Sequence, residues 1–205
     1  WDEILAETQP RADLGFSNAI WRYARGVALA NKGDIKGAKA ELAALIPLKA
    51  NPKVMVLDGN DYPASALLQI ADDLLQGEIA QAANDNKTAV AKFTAAVAGQ
   101  DLLPYTEPPF WYYPTRQSLG AALLKAGNAK EAQAVFEKDL EQYPHNGWST
   151  SGLIEALEAH ADGRRLPEHR VDEPLPILGL RHDGHERARP VLLHLQMHER
   201  HVERA

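Results

Sequence analysis

The sequence predicts an all-α fold, a right-handed α-solenoid built from helical hairpins and followed by an irregular C-terminal tail. The prediction comes from one pattern, in which a glycine is followed by an alanine and then by a large apolar residue, at identical spacing each time. The pattern occurs at Gly26/Ala38/Leu42, Gly77/Ala89/Phe93 and Gly120/Ala132/Phe136. Small residues let two helices approach closely, and the large residue fills the space beside them. Each unit is therefore predicted to be a hairpin of two helices.

Turn-forming residues separate the two helices of each unit, where the chain must reverse. They are residues 31–34 (Asn-Lys-Gly-Asp), 84–86 (Asn-Asp-Asn) and 127–128 (Gly-Asn). Asn, Asp and Gly favour tight turns and helix caps. Hairpins are thus expected from about 17 to 46, 64 to 99 and 114 to 142, with one further helix from about Gly147 to His160 and no β-sheet.

Two linkers separate the hairpins. The first, Pro47 to Pro63, contains a short apolar run that is compatible with one extra helical turn. The second, residues 102–113, contains three prolines and is followed by Pro114. Proline removes a backbone donor and restricts the residue before it, so a helix cannot continue through this linker. The second linker is therefore predicted to be a rigid aromatic loop.

The third unit resembles the tetratricopeptide repeat (TPR), a helical hairpin of about 34 residues. The residues that carry the resemblance are Leu119, Gly120, Leu123, Gly127, Ala132, Phe136 and Pro144. The first two units resemble divergent repeats, and a fourth begins at Trp148 and Gly152. The chain from about 19 to 161 is similar to the C-terminal part of longer bacterial TPR proteins, although Arg116 stands where the family has an aromatic residue. Because the chain opens at Trp1 without a signal-peptide pattern, a fragment or a processed product is expected.

Composition divides the chain into a helical-repeat domain, residues 1–161, and an atypical Arg- and His-rich tail, residues 162–205. The tail has eight Arg and no Lys, and its prolines interrupt any further hairpin. One helix is predicted near 190–203, because Val191, Leu192 and Leu195 share a face. We expect this helix either to cover the last repeat or to exchange with a second copy, giving a homodimer through the C-terminal end.

Charge and composition exclude several classes of function. The net charge of −6 provides no basic field for a phosphate backbone, so a nucleic-acid partner is not expected. The absence of Cys removes disulfides, thiolate nucleophiles and Cys-based metal centres. No apolar run is long enough to span a bilayer. We expect a soluble protein of the cytoplasm or periplasm, with no cofactor and no membrane partner.

The candidate site with the most aromatic side chains is the aromatic loop, which as a site is extended to residues 104–117 so that it includes Arg116 and Gln117. It carries five aromatic side chains around Glu107, namely Tyr105, Phe110, Trp111, Tyr112 and Tyr113. His145, Asn146 and Trp148 follow one repeat later and are expected nearby if the repeats stack. Tyr and Trp combine an apolar face with a polar tip, as recognition sites require. Two interpretations stay open: the loop only fastens the hairpin junction, or its exposed rim also contacts a ligand.

Stacked hairpins would line a concave surface with their first helices, and such surfaces bind extended peptides or partner helices. The leading hypothesis is therefore a protein- or peptide-binding scaffold. Its candidate binding residues are Tyr23, Asn31, Glu78, Gln81, Tyr105, Trp111, Tyr112, Arg116, Gln117, Lys125 and Trp148; Val27, Leu74, Ala121 and Leu124 are also expected to face this groove. Some TPR proteins hold a peptide carboxylate with Lys and Asn. Asn31 and Lys125 match that set, but its other basic residues are missing here.

The alternative is a small-molecule hydrolase, an esterase or glycosidase, with its site at the aromatic loop. Glu107 or His145 would act as the general acid or base. No nucleophile elbow or glycine-rich phosphate loop accompanies them. A second set of carboxylates, Asp72, Asp73 and Glu78, is expected to lie on a solvated helix face.

Three histidines of the tail, His194, His198 and His201, would form one stripe on the predicted helix. Imidazoles at this spacing are able to bind zinc, nickel or copper. An Arg- and His-rich segment also accumulates histidine through its composition alone, which is the preferred explanation. No metal site is therefore predicted.

Overall fold

A computed structural model describes residues 1–161, and this part of the chain is helical without any β-strand. Its helices are α1 (Asp2–Ala6), α2 (Gly15–Asn31), α3 (Ile35–Leu45), a 3₁₀-helix (Ile46–Ala50), α4 (Pro52–Asp58), α5 (Ala64–Ala82), α6 (Asn86–Asp101), α7 (Arg116–Lys125), α8 (Ala129–Gln142) and α9 (Gly147–Ala161). The all-α prediction is confirmed, and the three hairpins and the single helix lie within a few residues of their predicted bounds. The helix predicted near 190–203 and the three tail histidines lie outside the described residues.

The predicted reversals are tight turns closed by the expected residues. Gly33 and Gly127 have φ of 80° and 79°, in the left-handed region that glycine adopts most readily. The side chains of Asp34 and Asp85 cap the helices that follow, accepting hydrogen bonds from the backbone of Gly37 and Thr88 at 2.8 and 3.0 Å. The turn residues expected from the sequence therefore close the reversals, and an Asp side chain caps the second helix of the first and second hairpins.

The second and third hairpins are closed by the small and large residues that the spacing predicted, whereas Gly26 of the first hairpin adjoins Leu75 of α5 instead of Leu42. Ala38, Ala89 and Ala132 are fully buried where the two helices cross. In the second hairpin, a Cβ placed on Gly77 would lie 2.5 Å from the Phe93 ring, so only glycine fits there. Consecutive hairpins contact each other through α2 with α5 and α6 with α7, and α9 packs on both helices of the third hairpin.

The acidic residues Asp72 and Asp73 correct a prediction, because they are buried rather than solvated. Asp72 accepts a hydrogen bond from Lys49 Nζ at 2.5 Å, and Asp73 forms an ion pair with Lys92 at 3.3 Å. Helix α5 contacts α2, α3, α4 and α6, so nearly its whole circumference is covered. The same crowding of first helices buries three residues expected in the groove, Leu74, Ala121 and Leu124.

Two short helices extend beyond the predicted elements. Helix α1 was not expected; the Trp21 indole donates to the Glu7 carbonyl at 3.2 Å and Arg25 donates to the Leu5 carbonyl at 2.8 Å, which fastens α1 to α2. Helix α4 extends the single turn expected in the first linker to seven residues. Among residues 1–161, no helix combines the length and the apolar character needed to cross a bilayer.

Candidate functional site

The aromatic loop leaves the junction between the second and third hairpins and packs against the first. The Trp111 ring meets Tyr23 of α2 edge-on, with ring centroids 5.7 Å apart. Phe110 meets Tyr62 at 5.5 Å, and Tyr62 in turn meets Phe16 of α2 at 5.5 Å. Trp111 is buried, with only 5% of its surface exposed. The loop therefore covers part of the face of α2 that was predicted to line the groove.

Polar contacts at its two ends fix the loop. Gln100 Oε1 accepts hydrogen bonds from the backbone nitrogen and the hydroxyl of Thr115, both at 2.7 Å, and Gln100 Nε2 donates to the Tyr113 carbonyl at 3.0 Å. Arg116 forms a two-bond ion pair with Asp101 at 2.8 and 2.6 Å. Arg116 thus joins the end of α6 to the start of α7, a structural contact rather than one with the groove.

Tyr112 lies at the boundary between the buried part of the loop and its surface. Its hydroxyl lies 3.4 Å from that of Tyr23, and its ring contacts Trp111 and Tyr113 at 5.4 and 4.8 Å. Burial raises the pKa of Tyr23 well above its usual value, so its phenol stays protonated. The Tyr112 side chain is 39% exposed, so part of it remains open to a ligand although its hydroxyl faces Tyr23.

Polar groups from three first helices form a set that we call the polar row: the side chains of Asn31 of α2, Glu78 of α5 and Lys125 of α7, with the backbone carbonyl of Gln81 of α5. Asn31 Nδ2 donates to Glu78 Oε2 at 3.3 Å, and Lys125 Nζ donates to the Gln81 carbonyl at 3.2 Å. Burial lowers the pKa of Lys125, while the Glu78 carboxylate opposes that shift. Glu78 also contributes, as the smallest of several causes, to the raised pKa of Tyr23, which the aromatic loop contacts.

Gln117 and Trp148 lie at a different junction, where α7 meets the start of α9. Gln117 is buried, and its Nε2 donates to Asn146 Oδ1 at 3.1 Å. Asn146 Oδ1 also accepts from the backbone nitrogen of Trp148 at 3.0 Å and so caps α9. Gln117 therefore orients a helix start, while the Trp148 side chain remains 38% exposed.

A buried carboxylate lies below this helix start. Asp139 is fully buried and accepts a short hydrogen bond from the Ser149 hydroxyl, while its Oδ1 has no partner within the described residues. Burial raises the pKa of Asp139, against the lowering effects of Ser149 and Arg116. No sequence pattern indicated this group, because an Asp in the second half of an amphipathic helix ordinarily faces water.

Glu107 and His145, the candidate acid and base of a hydrolase, occupy exposed positions. Tyr105 is 86% exposed, and its hydroxyl donates to Glu107 Oε1 at 2.7 Å. His145 has a φ of 68° in the turn between α8 and α9. No hydrogen bond links Glu107 to His145 within residues 1–161, and no group of three His, Asp or Glu side chains in that range is arranged to hold a metal ion.

Sequence reasoning identified the loop aromatics and the polar row, but it missed the side chains that receive the loop. Tyr62 lies at the end of the first linker and Phe16 in the first turn of α2. The available signal was the clustering of aromatic residues in the second linker, which indicates that they pack on other aromatic side chains but does not identify the partners. Comparison of the chain with protein-family models, with characterised proteins and with solved structures gives no match.

Proposed function

We propose that this chain is a protein-binding scaffold of TPR-like hairpins, stacked as a right-handed solenoid, that holds an extended peptide along its first helices. Helices α2, α5 and α7 occupy equivalent places in consecutive hairpins and contribute the residues of the polar row. A peptide backbone carries a donor and an acceptor at almost every residue, so a surface that offers both along its length suits an extended ligand.

The polar row is the observation that supports this function best. It combines a carboxylate, a carboxamide and an ammonium group in two hydrogen bonds, Asn31 to Glu78 at 3.3 Å and Lys125 to the Gln81 carbonyl at 3.2 Å, and the Glu78 carboxylate acts electrostatically on Lys125. None of these side chains belongs to the buried core. Tyr112 of the aromatic loop is 39% exposed and contacts Tyr23 of α2, the helix that also carries Asn31, and Tyr is among the residues that contribute most to binding energy at interfaces.

Peptide selection followed by substitution tests the proposal. Displayed peptides are selected on the purified chain, and the affinity of a selected peptide is then measured by isothermal titration calorimetry. We expect Glu78→Gln and Tyr112→Ala each to weaken binding by about tenfold or more, because they remove a charge-assisted contact and a large contact surface.

Glu137→Gln provides the matched control, since it makes the same chemical change on the exposed face of a second helix. Glu137 accepts a hydrogen bond from Gln133 within α8, and neither residue adjoins the polar row. The control should bind like the wild type. Failure to select any peptide of micromolar affinity, or equal losses for Glu78→Gln and Glu137→Gln, would reject the function.

A further inference from the structure

The aromatic loop packs on α2 and Tyr62 through side chains that are distant from them in sequence. Phe110 and Trp111 enter edge-on against Tyr62 and Tyr23, at 5.5 and 5.7 Å. These contacts join parts of the chain that are distant in sequence; the neighbouring Tyr23 to Tyr112 contact spans 89 positions. Edge-to-face aromatic pairs are favourable in proteins beyond the area that they bury. Phe16 and Tyr23 of α2 together with Tyr62 form a surface that we call the aromatic face, and in this structure the chain's own loop covers it.

The loop segment that covers the aromatic face is rich in proline and aromatic residues. Residues 104–114 read PYTEPPFWYYP and contain no helix. Proline-rich segments of this kind enter a complex with little conformational freedom left to lose, and grooves lined by aromatic side chains recognise them. The same properties would make a segment of another protein suitable for the aromatic face.

The loop's own fit to this face is incomplete. Trp111 Nε1 is buried and has no acceptor within the described residues. A buried donor without an acceptor disfavours the arrangement that contains it. An external segment of similar shape that also supplies an acceptor would make the contact that the loop lacks.

We propose that the aromatic face binds an extended proline- and aromatic-rich segment of a partner protein, and that the chain's own loop is a built-in competitor for it. This inference rests on the proposed scaffold function and names the chemistry of one of its ligands. A tethered loop competes at an effective concentration in the millimolar range. A partner segment therefore binds only when its contacts with the aromatic face are more favourable in free energy than those of Phe110 and Trp111.

A peptide supplied in trans tests the proposal. The probe is a fluorescein-labelled synthetic peptide PYTEPPFWYYP, and its binding to the full chain is followed by fluorescence anisotropy. We expect Trp111→Ala, which removes the loop's anchor, to bind the probe about tenfold or more tightly than the wild type does. The same peptide with alanine in place of its tryptophan should not bind.

Tyr105→Ala is the matched control, because Tyr105 belongs to the same loop but is 86% exposed. Its anchor remains in place, so it should bind the probe as weakly as the wild type. If circular dichroism shows that Trp111→Ala has lost its helices, Trp111→Leu replaces it with the same expectation. Equal affinity for wild type, control and anchor variant, or binding that does not need the probe's tryptophan, would overturn the proposal.

A second copy of this chain is the other source of such a segment. If light scattering finds a wild-type dimer that becomes a monomer in Trp111→Ala, the loop is exchanged between copies and the partner proposal fails. Failure of the two proposals is distinguishable, since peptide selection depends on Glu78 of the polar row and the trans experiment depends on Trp111. A probe that binds the anchor variant supports the aromatic face even if no selected peptide needs Glu78.

Discussion

Replacing Gly120 by alanine places a methyl group where the Phe136 ring now lies. A Cβ on Gly120 would lie 2.6 Å from Phe136 Cε1, whereas ordinary contact begins at about 3.4 Å, so the ring must retreat by most of an ångström. A Cβ on Gly152 of α9 would meet the same three ring carbons, so α9 also lies close to the ring. Movement of the ring away from α7 is therefore restricted by α9.

Two opposing effects set the expected magnitude. Alanine is favoured over glycine in a helix interior by about 1 kcal/mol. Overpacking a closed core costs about 1 to 3 kcal/mol, and the contact of Phe136 with both helices argues for the upper end. Gly120→Ala should therefore lower the free energy of unfolding by about 2 kcal/mol, which corresponds to a fall in Tm of roughly 4–8 °C for a domain of this size.

Differential scanning calorimetry measures this change, with Gly147→Ala as the matched control. Gly147 begins α9, and a Cβ there would meet nothing within 4 Å. The double variant Gly120→Ala/Phe136→Leu replaces the ring with a smaller side chain. Its loss of unfolding free energy should therefore be smaller than the sum of the losses in the two single variants. Equal Tm values for Gly120→Ala and Gly147→Ala would refute the predicted clash with Phe136. So would a double variant whose loss of stability equals the sum of the losses from Gly120→Ala and Phe136→Leu.

Three further predictions concern packing, protonation and association. Ala132→Leu should overpack the crossing of α7 and α8 and cost about 1–3 kcal/mol in chemical denaturation. Burial raises the pKa of Asp139 in the folded chain above its unfolded value of about 4, so the stability that the protonated carboxyl contributes is fully present below pH 4 and is lost as pH rises through the raised folded pKa; the Tm of Asp139→Asn relative to wild type should therefore increase from pH 4 upward and become constant above the folded pKa. Ile154 and Leu157 of α9 are 53% and 44% exposed, so light scattering at tens of micromolar should find a wild-type dimer and an Ile154→Lys/Leu157→Lys monomer.

Each of these predictions has a contrary result. An unchanged denaturation midpoint for Ala132→Leu would mean that the helix crossing is loosely packed. A Tm advantage of Asp139→Asn that shrinks toward pH 8 would mean that the carboxylate is stabilised in the folded chain. A wild-type monomer at the same concentration would exclude association through α9.

The helices and their close crossings could be predicted because the determinants are local in sequence. The pairs Gly77/Phe93 and Gly120/Phe136 each lie within a single hairpin and have the same spacing. The polar row followed from the same register, since Asn31, Glu78 and Lys125 lie near the ends of successive first helices. A pattern within one hairpin is therefore enough to place the crossings, whereas the row also requires that successive hairpins stack.

The remaining features depend on contacts that no local pattern encodes. The seating of Trp111 on Tyr23 depends on the path of an irregular loop, which neither periodicity nor spacing describes. The burial of Asp72 and Asp73 depends on which lysines the neighbouring helices bring to α5. In both cases the sequence contains the partners but not their pairing.

The seating of the loop on α2 also bears on the order in which the chain folds. Hairpins whose contacts stay between consecutive helices close small loops and form quickly, whereas joining Tyr23 to Tyr112 requires closure across 89 positions. The aromatic loop can dock only after the first two hairpins have formed, because its receptor includes α2 and the end of the linker before α5. Burial of Trp111 is thus a late step that reports the completion of the fold, and substitutions at this residue should speed unfolding more than they slow folding.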